Sequence, residues 1–239
     1  MNNTLVALYG IHPIQELLRA KQRTIQKLFT TNPPPKVFTT IAPLVPRHIS
    51  VTFCSREKLT ALAGTDDHQG VVALVTPLPT RKSCFNIVQH PYILMLDGIQ
   101  DPRNLGAIIR SAYCTAVDGI VIPHKQSAPL TAVVCKAAAG LIEHSTIYQP
   151  PSSIAAIQEI QAAGYAIYCA AAGGTDIRTL SFTVPTCIVI GSEGTGITAP
   201  VRSYGTAIAI PQRNTHLSYN ASVAAGIILL AVSSALKRL

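Results

Sequence analysis

The chain has 239 residues, of which 48% are hydrophobic and 13% charged, and its formal net charge is +8. This composition excludes a disordered tail, because such segments combine low hydrophobicity with high charge. The length allows one large domain or two small ones. The charge is uneven, since residues 1–90 carry ten Lys and Arg against four Asp and Glu, whereas residues 91–239 carry nine against seven. A basic excess in one part favours a polyanionic partner, although many proteins are basic without one.

Cysteine usage and the chain termini restrict the class of protein further. The six cysteines lie mostly in apolar runs and form no CxxC pair, which predicts reduced core residues in a cytoplasmic protein without a zinc site or disulfides. No signal peptide is evident at the N-terminus. The most apolar segment, Ala221 to Leu236, contains Ser and Gly and is shorter than the roughly 20 residues that a bilayer requires. We therefore expect a buried C-terminal helix and no membrane span.

Residues 1–76 predict a small α/β domain. Helical patterns occur in HPIQELLRA and REKLTALA, and β-type runs occur in TIQKLFT, ISVTFC and GVVALV. The stretch from Val75 to Pro91 holds three prolines, two adjacent basic residues and no sustained apolar period. This pattern favours an interdomain linker over residues 77–90, followed by a larger domain over residues 91–239.

The larger domain predicts a mainly parallel sheet. Apolar runs (YILML, GIVIP, YAIYCAA, TCIVIG, TAIAIP) alternate with helical patterns (NLGAIIRSAY, PLTAVVCKAAAGLI, SIAAIQEIQAAG and the final helix), which is typical of helices on both faces of the sheet. Such sheets bind ligands at the carboxyl ends of their strands. Three polar loops follow strands there: DGIQDPRN, GSEGTG and PQRNTHLSYN. None matches a dinucleotide fingerprint or a phosphate-binding P-loop.

An arginine interrupts the first helix of this domain. On a helical projection one apolar stripe, expected to face the core, comprises Leu105, Ile108, Ile109, Ala112 and Tyr113. Arg110 lies off that stripe, about 20° from Arg103. A solvated helix face with two arginines would give the same pattern. A functional arginine is favoured because the other two loops bring a carboxylate and a Ser/Asn pair to the same sheet edge.

The motifs DPRNLGAIIRSA, VIGSEGTGI and IPQRNTHLSYNASVAAGI together resemble those of the SpoU-type (TrmH/RlmB-like) members of the SPOUT RNA methyltransferases, in the same order and at similar spacing. The segments LYGIHPIQELLRA and HQGVVALV resemble the L30e-like, ribosomal-protein-like RNA-binding domain of the 23S ribosomal RNA guanosine 2'-O-methyltransferases. The resemblance covers nearly the whole chain. It implies S-adenosylmethionine as the methyl donor, a ribose 2'-hydroxyl, most often of a guanosine in 23S rRNA, as the acceptor, a C-terminal trefoil knot and a homodimer.

The same resemblance implies roles for individual residues. The catalytic set comprises Asn104, Arg110, Glu193, Ser218 and Asn220, and the cofactor-binding set comprises Gly191, Gly194, Gly196, Ile210 and Tyr219. Two positions depart from the family pattern. Gln212 replaces a usually apolar residue, and Tyr219 replaces the usual leucine, which we expect to change packing more than cofactor recognition.

Several of these residues also have structural interpretations. Glu193 could cap a helix, and Ser218 and Asn220 could cap the final one. Glycines 191, 194 and 196 could form a tight turn without a ligand. Arg110 is expected to act electrostatically because guanidinium keeps its proton at ordinary pH, with general-base action as the alternative. Histidines 12, 68 and 216 show no metal-ligand spacing, so no metal is expected.

Three functions stay open at this point. The first is 2'-O-methylation of ribosomal RNA. The second is the same reaction on transfer RNA by a related enzyme. The third is an RNA-binding assembly factor without catalysis, against which the complete set of polar site residues argues.

Overall fold

The computed structural model describes residues 5–213 and 218–239. The strands are β1 (Val6–Tyr9), β2 (Ile25–Thr31), β3 (Val51–Cys54), β4 (Val71–Val75), β5 (Tyr92–Asp97), β6 (Gly119–Val121), β7 (Ile147–Tyr148), β8 (Ala166–Asp176), β9 (Thr186–Gly191) and β10 (Thr206–Ala209). The α-helices are α1 (Ile11–Ala20), α2 (Arg56–Ala63), α3 (Pro102–Cys114), α4 (Ala132–Ala137), α5 (Ser153–Ala162), α6 (Ala199–Arg202) and α7 (Ala221–Ala235).

The chain divides into two compact units. The smaller unit comprises the chain up to Pro79 together with Leu130–His144, and the larger comprises Thr80–Pro129 with Ser145–Leu239. This division differs in two places from the domain boundaries predicted from the sequence. Residues 130–144 group with the smaller unit, although the sequence placed them in the larger domain. Residues 80–90 belong to the larger unit, in which Phe85 is buried against Gly119, so this part of the expected linker contributes to a core.

The smaller unit contains a four-stranded mixed sheet in the order β1-β4-β2-β3. Strands β1 and β2 both pair antiparallel with β4, and β3 pairs parallel with β2. Of the Lys and Arg side chains in residues 5–79, Arg23 alone is buried; the others are exposed, at positions 19, 21, 27, 36, 47, 56 and 58. The basic excess therefore lies on the surface of this unit, where it can attract an anionic partner.

A buried ion pair ties residues 130–144 into the smaller unit. Arg23 donates a 2.8 Å hydrogen bond to Glu143, and the two side chains are only 3% and 0% exposed. Burial raises the pKa of Glu143 and outweighs the opposing attraction of Arg23. The predicted helix over PLTAVVCKAAAGLI is correspondingly shorter than expected. It ends at Ala137 because Ala139 and Gly140 adopt positive φ, and a Cβ at Gly140 would lie 2.8 Å from the carbonyl oxygen of His12.

The larger unit contains a six-stranded sheet in the order β10-β8-β9-β5-β6-β7, and all of its strand pairs are parallel. This confirms the mainly parallel sheet predicted from the apolar runs. The central strands β5 and β9 are buried along almost their whole length, as expected for strands with a helix layer on each face. Polar loops leave the carboxyl ends of β5, β9 and β10, which places the three sequence motifs at one edge of the sheet. The trefoil knot stays a prediction.

Candidate active site

The first motif, DPRNLGAIIRSA, comprises the N-cap and most of helix α3. Asp101 caps the helix by accepting a 2.9 Å hydrogen bond from the Arg103 backbone amide, and Pro102 occupies the first turn. Leu105, Ile108, Ile109 and Ala112 of the predicted stripe are buried, whereas Tyr113, next to the last residue of the helix, is 44% exposed and the prediction was wrong there. Arg110 is exposed on another face, so it adds nothing to the core that fixes the helix.

The second motif forms a loop that folds back on itself after β9. Ser192 and Gly196 exchange backbone hydrogen bonds of 3.2 and 3.0 Å, and Gly196 adopts a φ of +66°. A Cβ at Gly191 would lie 2.2 Å from the Gly196 carbonyl carbon, so only glycine fits this position. A Cβ at Gly194 would instead project into open space. Close packing of the loop therefore requires glycine at position 191 but not at position 194.

Glu193 lies at the centre of a hydrogen-bonded cluster. Its Oε1 accepts a 2.8 Å hydrogen bond from Asn104 Nδ2, a further one from Asn220 Nδ2, and a 3.4 Å one from the Ala221 amide. Asn220 Nδ2 also lies 3.2 Å from Asn104 Oδ1. Three motifs that are far apart in sequence thus meet at one carboxylate, which fixes the orientation of both amide groups.

Asn220 has two roles at once. Its Oδ1 accepts hydrogen bonds from the Ser222 amide at 2.9 Å and the Val223 amide at 3.3 Å, which is the geometry of a helix N-cap. Its Nδ2 donates to the Glu193 cluster. The capping and functional interpretations of Asn220 are therefore compatible. Glu193 itself also accepts from the first amide of α7.

Two cavities share the Gly-rich loop as a wall. The first, of about 390 Å³, is lined among others by the loop residues 191–197 and by Ala170–Ala172, Arg202, Ile208–Ile210, Gln212, Ser218 and Tyr219. The second, of about 570 Å³, is lined by Asp97–Asp101, Asn104, Gln126, Ser192–Thr195, Thr198 and Ala221. Residues 192–195 and Ala221 line both, so molecules bound in the two cavities would meet across this stretch.

Most of the site residues predicted from the sequence line these cavities. Ser218, Tyr219, Ile210 and the three loop glycines line the first, Asn104 lines the second, and Glu193 lines both. Asn220 lines neither cavity but donates a hydrogen bond to Glu193. Arg110 lines neither. Part of the third motif, residues 214–217 including His216, lies outside the described residues.

The structure adds residues that the motifs did not single out. Asp97, at the end of β5, is buried; its Oδ2 accepts hydrogen bonds from the amide and hydroxyl of Thr198 at 2.8 and 2.9 Å, and its Oδ1 has no partner among the described residues. A carboxylate directly after the apolar run YILML was a usable signal for Asp97. Arg202, on the short helix α6, gave no such signal because its approach to the cavity depends on tertiary structure alone.

Two histidines of the smaller unit, His12 and His68, lie in different environments. His12 is exposed, whereas His68 is fully buried, accepts a 3.0 Å hydrogen bond from the Gly70 amide at Nδ1 and contacts the Thr60 hydroxyl through Nε2. Burial lowers the pKa of His68 and favours the neutral ring. Within residues 5–213 and 218–239, no group of three or more His, Cys, Asp or Glu could hold a metal ion, and no helix is long and apolar enough to cross a membrane.

Comparison with known sequences identifies two family matches. The model of the SpoU rRNA Methylase family matches residues 91–230, and that of the RNA 2'-O ribose methyltransferase substrate binding domain matches residues 7–81. A Haemophilus ducreyi protein named 23S rRNA (guanosine-2'-O-)-methyltransferase RlmB is 31% identical, covering 94% of this chain and 96% of that protein. The Bacillus subtilis protein named putative TrmH family tRNA/rRNA methyltransferase YacO is 33% identical over 77% of each chain.

Solved structures agree on the fold. A crystal structure of an RNA 2'-O ribose methyltransferase superposes with a TM-score of 0.85 at 18% identity, covering 99% of this chain and 90% of that one. The SpoU methyltransferase AviRb from Streptomyces viridochromogenes, in complex with the cofactor AdoMet, superposes with a TM-score of 0.76 at 20% identity, covering 95% and 89%. These neighbours share the fold of this chain.

Proposed function

Because the chain belongs to the SpoU rRNA Methylase family and is thus an RNA 2'-O-ribose methyltransferase, we propose that it transfers a methyl group from S-adenosylmethionine to the 2'-hydroxyl of a guanosine in 23S rRNA. The observation that carries this proposal is the cluster of Glu193, Asn104 and Asn220 at the wall shared by two cavities. A two-substrate transfer needs such a place, where donor and acceptor can be aligned.

The first cavity fits the methyl donor. Its volume of about 390 Å³ is in the range of small-molecule pockets, and alanine, isoleucine and glycine residues dominate its lining. Such a surface suits an adenosine ring held by backbone groups. When bound, S-adenosylmethionine supplies a methyl group on a positively charged sulfur. The chain's task is then to hold this group against the shared wall and to exclude water from it.

The second cavity suits the acceptor nucleoside. It is lined by the carboxylates of Asp97, Asp101 and Glu193 and by the amides of Gln100, Asn104 and Gln126, and no Lys or Arg of the described residues lines it. This lining is unsuited to a phosphate but accepts hydrogen bonds from hydroxyl and N–H groups. We place the ribose of the target there, with Asn104 held by Glu193 to orient the hydroxyl.

Arg110 has an electrostatic role in this proposal. The acceptor hydroxyl must lose its proton as it attacks, and a nearby cation stabilises the oxygen that forms. Guanidinium keeps its own proton at ordinary pH, which makes it a poor base. Arg110 lies on an exposed face, so we propose that it reaches the reacting groups, or the phosphate beside them, once RNA covers that face.

Ribosomal RNA is favoured over transfer RNA because the substrate-binding match covers residues 7–81, most of the smaller unit, and a relative covering nearly the whole chain bears the 23S name. Transfer RNA is the second candidate, since other relatives are named for both substrates. The third reading, an RNA-binding assembly factor without catalysis, would need a disrupted site, whereas the Glu193 cluster is complete.

Tritium transfer from labelled S-adenosylmethionine to RNA tests this proposal. Unmodified 23S and tRNA transcripts are offered separately to the full chain, with Glu193→Ala as the inactive control. We expect label in 23S RNA alone. Label in tRNA alone would replace the proposed substrate by the second candidate, and binding of RNA without any label would favour the assembly factor.

We further propose a homodimer built on α7. Val223, Ile227 and Leu230 are 48%, 37% and 53% exposed and lie at helical spacing on one face of this helix. An apolar face of this kind favours contact with a second copy. The cytoplasmic location, the domain boundaries at 76 and 91, and the knot stay predictions.

A further inference from the structure

The cavity proposed for the methyl donor contains one cationic side chain. Among its described lining residues, Arg202 is the only Lys or Arg and Glu193 the only Asp or Glu. The Glu193 carboxylate already accepts hydrogen bonds from Asn104 and Asn220. The Glu193 carboxylate is therefore engaged within the protein, whereas the Arg202 guanidinium is available to a ligand.

The backbone of Arg202 is held firmly. The Thr198 amide and hydroxyl bind the buried Asp97 carboxylate, and the Arg202 amide donates a 2.9 Å hydrogen bond to the Thr198 carbonyl. Val201, the preceding residue, is fully buried in the core of the larger unit. These contacts fix α6 against the end of β5 and leave the Arg202 side chain as its exposed, cavity-lining group.

The guanidinium has no charged partner. No ion pair joins Arg202 to a carboxylate within the described residues, and no hydrogen bond from its side chain to them is present. Its charge does act on the cavity wall. Burial raises the pKa of the Cys169 thiol to about 11. The Asp97 carboxylate adds to this rise, and the Arg202 cation opposes it. Cys169 directly precedes Ala170–Ala172 on β8, and these three alanines line the same cavity as Arg202.

We propose that Arg202 binds the α-carboxylate of the methionine moiety of S-adenosylmethionine, an inference that rests on the proposed function. Guanidinium and carboxylate are planar groups that match in a two-pronged hydrogen bond. Most of the other lining residues are apolar, among them Ala171, Ile197 and Ile208, so a ligand that fills the cavity would displace water and strengthen the attraction. The carboxylate is the one anionic group of this cofactor. Arg202 therefore selects ligands that carry it and anchors the methionine end of the cofactor.

Calorimetric titration of the full chain with two ligands tests this assignment. S-adenosylhomocysteine retains the carboxylate, and its decarboxylated analogue retains the adenosine, thioether and amine alone. We expect Arg202→Gln to weaken binding of S-adenosylhomocysteine about tenfold or more, which corresponds to about 1.4 kcal/mol, and to change binding of the analogue less than about twofold. Arg202→Lys should recover part of the loss because it keeps the charge without the planar fork.

Lys125→Gln is the matched control, since Lys125 is an exposed cation of the same unit that lines neither cavity, and it should leave both affinities unchanged. Equal weakening of both ligands by Arg202→Gln would overturn the carboxylate assignment alone. Unchanged ligand affinity together with weaker RNA binding would also overturn it, because the anion would then be a phosphate. If the unmutated chain binds neither ligand, the proposed function fails with it.

Discussion

At the scale of single residues, Asn104 and Arg110 leave the same helix in different directions. They are six positions apart, which separates them by about 120° around α3. Asn104 faces the second cavity and is held by Glu193, whereas Arg110 is exposed and lines neither cavity. The two residues should therefore respond differently to substitution, because Asn104 belongs to a preformed cluster whereas we propose that Arg110 acts only when RNA is present.

Arg110→Ala is expected to reduce methyl transfer about 100-fold or more, which is the usual effect of removing one group that stabilises developing charge. Circular dichroism and cofactor affinity should not change, because the side chain packs against nothing in the core. Arg103→Ala, on the same exposed face, is the control and should retain activity within a few-fold. If Arg110→Ala is equally active, the electrostatic role is wrong.

Asn220→Ser separates the two roles of this residue. Serine caps a helix about as well as asparagine, so the free energy of unfolding should change by less than about 0.5 kcal/mol. The amide that orients Glu193 and Asn104 is lost, so turnover should fall. Asn220→Ala should lose turnover and also about 1 kcal/mol of stability. Full activity in Asn220→Ser, measured beside chemical denaturation, would mean that the amide has no part in catalysis.

At the scale of elements, the buried pair of Arg23 and Glu143 decides how residues 130–144 fold. Arg23→Met should destabilise the protein by about 3–5 kcal/mol, because it leaves a carboxylate buried without its partner. The double variant Arg23→Met with Glu143→Leu should recover most of this loss, since an apolar pair of similar size replaces both charges. Urea denaturation of these two variants and of Glu143→Leu alone measures this. Independent, additive losses would show that the two residues do not act as a pair.

Most elements could be predicted from periodicity and motif. The buried stripe of α3, the extent of α7 and the parallel strands follow from apolar patterns that tertiary contacts reinforce. Two short strands were missed, β1 with four residues and β7 with two. The six-residue α4 was overestimated because its sequence is rich in helix-favouring alanine, whereas its end is set by the packing of Gly140 against α1.

The site residues that lie within the three sequence motifs could be predicted, whereas those outside the motifs were missed. Glu193, Asn104 and Asn220 were named separately, and the structure brings them to one carboxylate. Asp97 was not named although its place directly after the apolar run YILML was a usable signal. Arg202 was not named because its approach to the cavity depends on how α6 docks on the end of β5. Such long-range contacts leave no periodic trace in the sequence.

At the scale of the whole molecule, the exposed apolar face of α7 determines the expected assembly. Light scattering at micromolar concentration should give the mass of a dimer, and Ile227→Asp should shift it toward a monomer, because a charge would be buried in an apolar contact. Val88→Asp, at an equally apolar but separate exposed position, should stay dimeric. A stable, active monomer in the unmutated protein would rule out the dimer.

The central claim is that this chain methylates a ribose hydroxyl and not a base. Unmodified 23S transcript is treated with the full chain and labelled S-adenosylmethionine, digested to nucleosides and separated by chromatography with mass detection. We expect the label in 2'-O-methylguanosine and its loss with Glu193→Ala. Label in a base-methylated nucleoside, or none in RNA while the cofactor binds normally, would contradict it.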